Sequence, residues 1–224
     1  MLMAWAGRQN SKWSNPLVTV LGVVDYGAGN LQSVVNALEY LETDWTILDA
    51  PGQVAQFDRI LLPGVGSFGA AMRRLEETGL KTSLIGAFER GHRIMGICLG
   101  MQLLTEWSEE SPSIEGLGIV RGTTVKLPES AKITNTGFRT VTAPGEKWSL
   151  AADELRRDYY FNHGYRVIPS DSAVCVGTSS YGGEDICVAV EFENACGVQF
   201  HPEKSQGQGL AVLRNFALTG GLRL

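Results

Sequence analysis

The sequence predicts an α/β fold with a doubly wound, mainly parallel sheet flanked by helices, and a second half richer in antiparallel strands. In the first half, short apolar runs alternate with stretches of helical periodicity, which is typical of buried parallel strands joined by crossover helices. After residue 107, strand-like runs follow one another closely, and helical periodicity returns only near the C-terminus. A chain of 224 residues is long enough for one sizeable domain.

The individual elements follow from these runs. In the first half we predict strands over Val18–Asp25, Trp45–Leu48, Arg59–Leu62 and Arg93–Ile97, and helices over Leu31–Leu41 and Leu80–Arg90. In the second half we predict strands over Thr123–Leu127, Phe138–Thr142, Tyr159–Phe161, Val174–Thr178, Ile186–Phe192 and Gly197–Phe200, then a helix over Leu210–Leu218. The site of such a fold is expected at the C-terminal ends of the parallel strands.

Composition excludes several classes of function. The net charge of -5 gives no electrostatic basis for binding nucleic acid or an anionic membrane. The N-terminal apolar stretch Met1–Ala6 is too short for a signal-peptide core, and no stretch approaches the roughly 20 apolar residues of a membrane span. We therefore expect a cytoplasmic protein with a loose N-terminal extension over residues 1–17 and a single domain over residues 18–224.

The cysteines favour a free thiol over a structural role. The chain has four, and none of them shows the Cys-x-x-Cys spacing of a zinc site. A reduced compartment suits a catalytic thiol better than a disulfide framework. The sequence predicts no metal and no cofactor. The loop Tyr26–Asn30 is also no dinucleotide fingerprint, because Gln32 stands where the third glycine is needed.

The segment Gly96-Ile97-Cys98-Leu99-Gly100 has the Gly-x-nucleophile-x-Gly form of a strand-to-helix elbow. In such an elbow the nucleophile occupies a strained turn, and the following helix directs its N-terminal N–H groups and positive dipole end at the sulfur. Cys98 is therefore the candidate nucleophile. The backbone N–H of Leu99 is a candidate donor to an oxyanion. An ordinary buried cysteine in a βα turn is the alternative for this motif taken alone.

A second glycine-rich loop, Pro63–Gly69, follows the third predicted strand. Its glycines let backbone N–H groups approach a ligand closely. Next to an activated cysteine, the backbone at Gly64 and Val65 is a candidate for the second oxyanion donor.

Of the three histidines, His201 is the candidate base. It ends an apolar run, so it is expected at the C-terminal edge of a strand, and Glu203 is placed two residues later, on the same side of an extended chain. A carboxylate there can orient one imidazole nitrogen and leave the other to take the thiol proton. We expect His92 in a solvated loop and His163 in a structural or pocket-wall role. These residues imply acyl transfer through a thioester, by a cysteine amidase, esterase or peptidase.

Three stretches together resemble the class I, or triad, glutamine amidotransferases: Pro63–Gly69, Gly96–Gln102 and Gly197–Ser205. The segments Asp25–Asn30 and Lys204–Gln206 are similar to the branch formed by HisH-type glutaminase subunits of imidazole glycerol phosphate synthase, in histidine biosynthesis. The resemblance extends from about Val18 to Phe216. It implies a flavodoxin-like mixed sheet with flanking helices.

The resemblance also implies the site and its partner. The triad would be Cys98, His201 and Glu203, and the enzyme would hydrolyse L-glutamine to glutamate and ammonia. The substrate would be held by Gly66, Gln102, Glu110, Gly164 and Tyr165. A separate cyclase subunit, a (β/α)₈ barrel of the HisF type, would form a heterodimer with this chain, receive the ammonia through a tunnel and switch the glutaminase on.

One segment departs from that branch. Where the family usually carries Pro-His-Met-Gly-Trp-Asn on the side of the synthase partner, this chain reads Thr134-Asn135-Thr136-Gly137-Phe138-Arg139. The triad is unaffected, but the departure bears on which synthase receives the ammonia. A paralogous glutaminase feeding another synthetase, for example one that amidates sugars, is therefore an alternative. A catalytically silent partner-binding subunit and a stand-alone cysteine hydrolase are two others.

Overall fold

A seven-stranded mixed sheet forms the centre of this protein, as seen in a computed structural model that describes residues 20–27, 29–130, 134–142 and 158–222. In spatial order its strands are β10 (Cys175–Tyr181), β11 (Glu184–Phe192), β12 (Ala195–Val198), β4 (Arg93–Cys98), β3 (Arg59–Gly64), β1 (Leu21–Val24) and β2 (Trp45–Leu48). The strands from β12 to β2 are mutually parallel, whereas β10 and β11 are antiparallel to their neighbours. The predicted N-terminal extension lies outside the described residues.

Helices cover both faces of this sheet. They are α1 (Leu31–Tyr40), α2 (Pro51–Val54), α3 (Phe68–Glu77), α4 (Leu80–Glu89), α5 (Leu99–Leu103) and α6 (Gln206–Thr219). Apolar side chains of α1 and α6 join one buried cluster, and those of α2 to α5 join another. This division confirms the predicted doubly wound arrangement. None of these helices is long and apolar enough to cross a membrane.

The second half of the chain adds two small sheets. One contains β5 (Trp107–Ser108), β6 (Gly122–Lys126) and β9 (Tyr165–Pro169), and the other contains β7 (Asn135–Thr140) and β8 (Asp158–His163). Pairing is antiparallel between β6 and β9 and between β7 and β8, as predicted for this half of the chain. Two pairings in this half are parallel: β5 with β6, and β12, which returns to the main sheet, with β4.

Several predicted boundaries were wrong. The sequence patterns missed α3 and β9, and β7 begins three residues before the predicted start. The spacing of Met101, Leu103, Leu104 and Trp107 predicts a helix that continues to Trp107, but α5 ends at Leu103, and Trp107, which is 39% exposed, lies in β5. The reason is local: the Thr105 hydroxyl donates to the carbonyl of Gln102 at 2.8 Å and so satisfies the end of a short helix. Pro63 and Gly64 belong to β3 and not to the following loop.

Candidate active site

Cys98 lies at the junction of β4 and α5 in a strained backbone conformation. Its φ and ψ angles are 54° and -108°, a region that side chains other than glycine rarely occupy. The turn is tight enough that a Cβ on Gly100 would collide with the carbonyl oxygen of Leu62. The predicted elbow is therefore present. As the first residue of α5, Leu99 donates no hydrogen bond within the helix, so its N–H is available beside the sulfur.

Strand β12 brings the histidine to this elbow. Because β12 is parallel to β4, with Val198 opposite Ile97, the chain that continues from β12 runs alongside Cys98. The side-chain amide of Gln199, the next residue, lies 3.7 Å from the Cys98 sulfur. His201 follows two residues later, and its buried imidazole lies close enough to the Cys98 side chain for the two to interact. The structure thus places His201 at the C-terminal edge of the sheet, as predicted.

Glu203 orients the imidazole. The Nδ1 atom of His201 lies 2.8 Å from Glu203 Oε1, and both side chains are almost fully buried. The predicted pairing is confirmed, but its predicted cause was wrong: residues Pro202–Lys204 form a 3-10 helix, not an extended chain. The side-chain amide of Asn30 donates to the same Glu203 oxygen at 2.6 Å. The carboxylate is thus fixed from two sides, and Nε2 of His201 is left to face the thiol.

The charge state of His201 follows from its neighbours. Burial on its own lowers the pKa of this imidazole, but hydrogen bonds to Cys98 and Glu203, together with their negative charges, raise the pKa from 6.5 to about 9. The protonated imidazole is therefore favoured at neutral pH. A protonated imidazole beside the sulfur can act as a proton donor.

A cavity of about 120 Å³ opens in front of the sulfur. It is lined by Val65, Gly66, Cys98, Leu99, Gln102, Glu110, Asn162, His163, Gly164 and Tyr165. Seven of the predicted oxyanion and substrate-binding residues are therefore brought together here. Gly64 is the exception: it lies in β3 opposite Cys98 and does not line the cavity, because its Cα packs closely against Tyr26 and α5. A larger hollow of about 290 Å³ lies at the opposite edge of the sheet; three of its seven lining residues are arginines, and none is a cysteine.

Two polar side chains of the cavity are held by the surrounding backbone. Glu110 accepts a hydrogen bond from the N–H of Phe68, the first residue of α3, at 2.6 Å between N and Oε2. Gln102 donates through Nε2 to the carbonyl of Tyr165, at 3.2 Å. Each residue therefore presents its remaining oxygen, Oε1, as an acceptor for a ligand.

His163 forms part of the cavity wall, as predicted. Its Nδ1 lies 2.7 Å from the carbonyl oxygen of Tyr165 and its Nε2 lies 3.0 Å from the side-chain nitrogen of Asn135. The pKa of His163 is lowered from 6.5 to about 4, chiefly by burial and also by the charge of His201, while the Tyr165 carbonyl opposes both effects. His163 is therefore neutral at pH 7. His92 is only partly solvated, because its Nδ1 lies 2.8 Å from the carbonyl oxygen of Phe57.

Residues 22–219 match the sequence profile of the glutamine amidotransferase class-I family. The chain belongs to the class-I glutamine amidotransferase family. This amidotransferase is 42% identical to the imidazole glycerol phosphate synthase subunit HisH of Methanopyrus kandleri, in an alignment that covers 91% of this chain and 99% of the relative. It is 41% identical to the HisH subunit of Aquifex aeolicus, over 87% and 94% of the two chains, and 39% identical to that of Moorella thermoacetica, over 88% and 93%.

Solved structures share the fold of this amidotransferase. A glutamine amidotransferase crystal structure superposes with a TM-score of 0.69 at 15% identity, covering 88% of this chain and 98% of that one. The structure of PurLQS from Thermotoga maritima gives a TM-score of 0.67 at 20% identity, covering 89% and 97%. At these identities the similarity concerns the fold alone.

Sequence reasoning missed three residues of this amidotransferase site. The sequence patterns give Asn30, Asn162 and Gln199 no role in the site, yet Asn30 contacts Glu203, and Gln199 and the Asn162 carbonyl lie 3.7 Å and 4.0 Å from the Cys98 sulfur. Asn30 gave one usable signal, since asparagine is enriched at left-handed positions and its φ is 74°. Gln199 gave another: a large polar residue between Val198 and Phe200, in a run that predicts a buried strand, needs a buried partner.

Proposed function

We propose that this chain is the glutaminase subunit of an imidazole glycerol phosphate synthase, hydrolysing L-glutamine and passing the ammonia to a cyclase partner in histidine biosynthesis. The observation that carries the proposal is the buried Cys98–His201–Glu203 arrangement at the mouth of a small polar cavity. The relatives named HisH, 39–42% identical over most of both chains, support the same branch.

The cavity supplies complementary groups for both ends of glutamine. The unused oxygen of Glu110 would accept from the substrate ammonium group, and that of Gln102 would accept from an N–H group of the bound substrate. The backbone at Gly66, Gly164 and Tyr165 would complete the walls. Gly66 has a φ of 108°, which favours glycine and places its backbone without a side chain at the cavity.

Acylation begins with the Cys98 thiolate, which attacks the carboxamide carbon. The oxyanion that forms is held by backbone N–H groups at Leu99 and Val65, each of which is worth about 3 kcal/mol of barrier by analogy with other oxyanion holes. The imidazolium of His201 gives its proton to the amide nitrogen, the C–N bond breaks, and ammonia leaves a Cys98 thioester.

Deacylation reverses the roles. Water attacks the thioester carbon while His201, now neutral, takes a proton from that water. The C–S bond breaks, glutamate leaves, and the Cys98 thiolate beside the His201 imidazolium is restored. Glu203 holds Nδ1 of His201 in its N–H form in both steps.

The partner in this proposal is a HisF-type (β/α)₈-barrel cyclase. Ammonia released into water would be protonated and diluted, so a channelled product and a gated glutaminase are the physical reason for a complex. The segment Thr134–Arg139, whose sequence departs from the branch, favours one second candidate: the same glutaminase chemistry serving a different ammonia-dependent synthetase.

The deciding experiment measures glutamine hydrolysis by the purified chain alone and with the cyclase of the same organism plus that cyclase's ribonucleotide substrate. We expect little activity alone and a large increase in the complex. The variant Cys98→Ala should lose glutamine-dependent synthesis in the complex and retain synthesis from ammonium. Loss of both activities would contradict the proposal that this chain hydrolyses glutamine and the partner uses the ammonia at a separate site. If the cyclase gives no activation while a glutamine-like electrophile still labels Cys98, the second candidate is supported.

A further inference from the structure

A buried chain of hydrogen bonds starts at the Cys98 sulfur. The side-chain nitrogen of Gln199 lies 3.7 Å from that sulfur, and its side-chain oxygen accepts from Gln102 Nε2 at 3.0 Å. Gln102 Nε2 also donates to the carbonyl of Tyr165 at 3.2 Å. Gln199 is fully buried and Gln102 is 5% exposed, so water does not compete for these groups.

The carbonyl of Tyr165 determines which end of each amide faces the sulfur. A carbonyl oxygen only accepts hydrogen bonds, so Gln102 must direct its NH₂ group towards it. The same NH₂ group donates to the side chain of Gln199, so the Gln199 atom that accepts this hydrogen bond must be its oxygen, Oε1. The NH₂ group of Gln199 is then left to point at Cys98. The donor direction thus follows from a backbone group that has only one possible role.

The same carbonyl fixes a second branch that leads to strand β7. Because the Tyr165 carbonyl also binds Nδ1 of His163, that nitrogen must carry the proton, and Nε2 is an acceptor. Asn135 meets this acceptor with its side-chain nitrogen at 3.0 Å. Asn135 is fully buried and His163 is 6% exposed. Both branches end on the Tyr165 carbonyl, which therefore links β7 to the elbow.

We propose that Gln199 is a catalytic residue, a side-chain N–H donor that stabilises the Cys98 thiolate, and that Asn135 and His163 are positioning residues that hold this donor in place through Tyr165 and Gln102. The inference deepens the proposed function, on which its catalytic meaning rests. An N–H donor to an anionic sulfur is a charge-assisted hydrogen bond, so it stabilises the thiolate more than the thiol. The parallel register of β12 and β4 places Gln199, the residue that follows β12, beside Cys98.

The test is the pH dependence of Cys98 alkylation by iodoacetamide, which requires neither substrate nor partner. Cleavage after Glu89 and Glu106 releases residues 90–106, in which Cys98 is the only cysteine, so mass spectrometry reads this thiol alone. In Gln199→Met, which keeps the volume and removes the donor, the midpoint of the pH profile should rise by about one pH unit. In Asn135→Leu it should rise by roughly half a unit, since the donor is loosened and not removed.

The surface variant Gln32→Met is the matched control and should leave the midpoint unchanged. A Gln199→Met protein that is folded by circular dichroism but has an unshifted profile overturns the proposal. If that variant does not fold, the unsubstituted chain provides the test by NMR, after labelling its glutamine residues with ¹⁵N. The chemical shifts of the Gln199 side-chain NH₂ group should change with pH around the midpoint of the alkylation profile. In Cys98→Ser this pH dependence should disappear. Gln199 chemical shifts that do not change over this pH range would refute the proposal.

The proposed function and this inference fail separately. A shifted alkylation profile combined with no glutamine hydrolysis in the cyclase complex and no labelling by a glutamine-like electrophile would uphold the donor role and reject the glutaminase. An unshifted alkylation profile combined with glutamine hydrolysis that the cyclase activates would reject the donor role of Gln199 and uphold the glutaminase.

Discussion

The proposed base, His201, depends on Glu203 for its orientation. One oxygen of Glu203 accepts hydrogen bonds from both His201 and Asn30. The two donors lie 2.8 Å and 2.6 Å from Oε1, in a part of the structure where the carboxylate has no exposed side-chain surface. Two charge-assisted or polar hydrogen bonds fix the carboxylate in one orientation. The imidazole therefore keeps a single tautomer and a single direction towards Cys98.

At this scale we expect His201→Asn to reduce glutaminase kcat/KM in the complex by about 10³-fold, because the proton-transfer group is removed. Glu203→Gln should reduce kcat/KM by only about 10²-fold, because the imidazole stays and only its orientation and the stabilisation of its charge weaken. Steady-state kinetics with glutamine measures both, with the exposed Glu39→Gln as the control. A Glu203→Gln loss equal to or larger than that of His201→Asn would contradict the assigned roles.

The two buried histidines predict opposite pH dependences of stability. The pKa of His163 is lowered from 6.5 to about 4, so its contribution is present above pH 6.5 and is lost as the pH falls through 4. That loss amounts to about 3 kcal/mol in the free energy of unfolding. The pKa of His201 is raised to about 9, so its contribution is present below pH 6.5 and is lost as the pH rises through 9.

Urea unfolding at pH 7 and pH 4 tests the His163 part of this prediction. The neutral variant His163→Gln should be the less stable protein at pH 7, and the difference from the unsubstituted chain should narrow by about 3 kcal/mol at pH 4. A difference that is the same at both pH values would show that burial does not penalise the charged form of this histidine.

At the scale of elements, the elbow depends on how closely α5 approaches β3. Gly100 has no room for a Cβ, since the atom it would meet is the backbone carbonyl oxygen of Leu62, which cannot rotate away as a side chain could. Gly52 in α2 is the natural comparison, because nothing lies within 4 Å of a Cβ placed there.

We therefore expect Gly100→Ala to destabilise the protein by about 3 kcal/mol through overpacking. Gly52→Ala should leave it unchanged or stabilise it by about 0.5 kcal/mol through the higher helix propensity of alanine. Chemical unfolding gives both values. The account of the elbow fails if the two variants are equally stable.

The whole molecule presents an aromatic surface next to the site, which we call the β7–β8 patch, formed by Phe138, Tyr160 and Lys204. The Phe138 and Tyr160 rings meet edge to face with centroids 5.6 Å apart, and the Lys204 ammonium lies 6.0 Å from the Tyr160 ring. Tyr160 also lies against His201, at 6.4 Å between ring centroids. With 45% of Phe138 exposed, this patch is the surface we expect to meet the synthase partner.

Phe138→Glu should weaken binding of the cyclase at least about tenfold, since it places a charge in an apolar contact. Alkylation of Cys98 in the isolated chain should not change. Isothermal titration calorimetry measures the affinity, and Tyr40→Glu, at an equally aromatic but remote position with 76% exposure, is the control. Equal affinities for the two variants would place the partner elsewhere.

The sequence by itself determined the fold class and identified Cys98, His201 and Glu203 as candidate site residues. Short apolar runs and helical periodicity report burial directly, and the glycines around Cys98 and the strand end before His201 are local patterns. Boundaries were less accurate where tertiary contacts overrode local preference. Helix α5 ended earlier than predicted. Strand β9 forms because its backbone pairs with β6 through antiparallel hydrogen bonds. Glu203 was correctly paired with His201 for a wrong reason, since a 3-10 helix brings them together.

Only the tertiary structure decided what surrounds the triad. Asn30 and Glu203 are 173 residues apart, and Gln199 and Cys98 are 101 apart, so no window of sequence contains either pair. Their contacts follow from the return of β12 to the parallel sheet beside β4, a pairing that hydrogen bonds and burial select and that local propensity does not encode. The nucleophile and base could therefore be found from motifs, whereas the groups that hold and charge them required the assembled sheet.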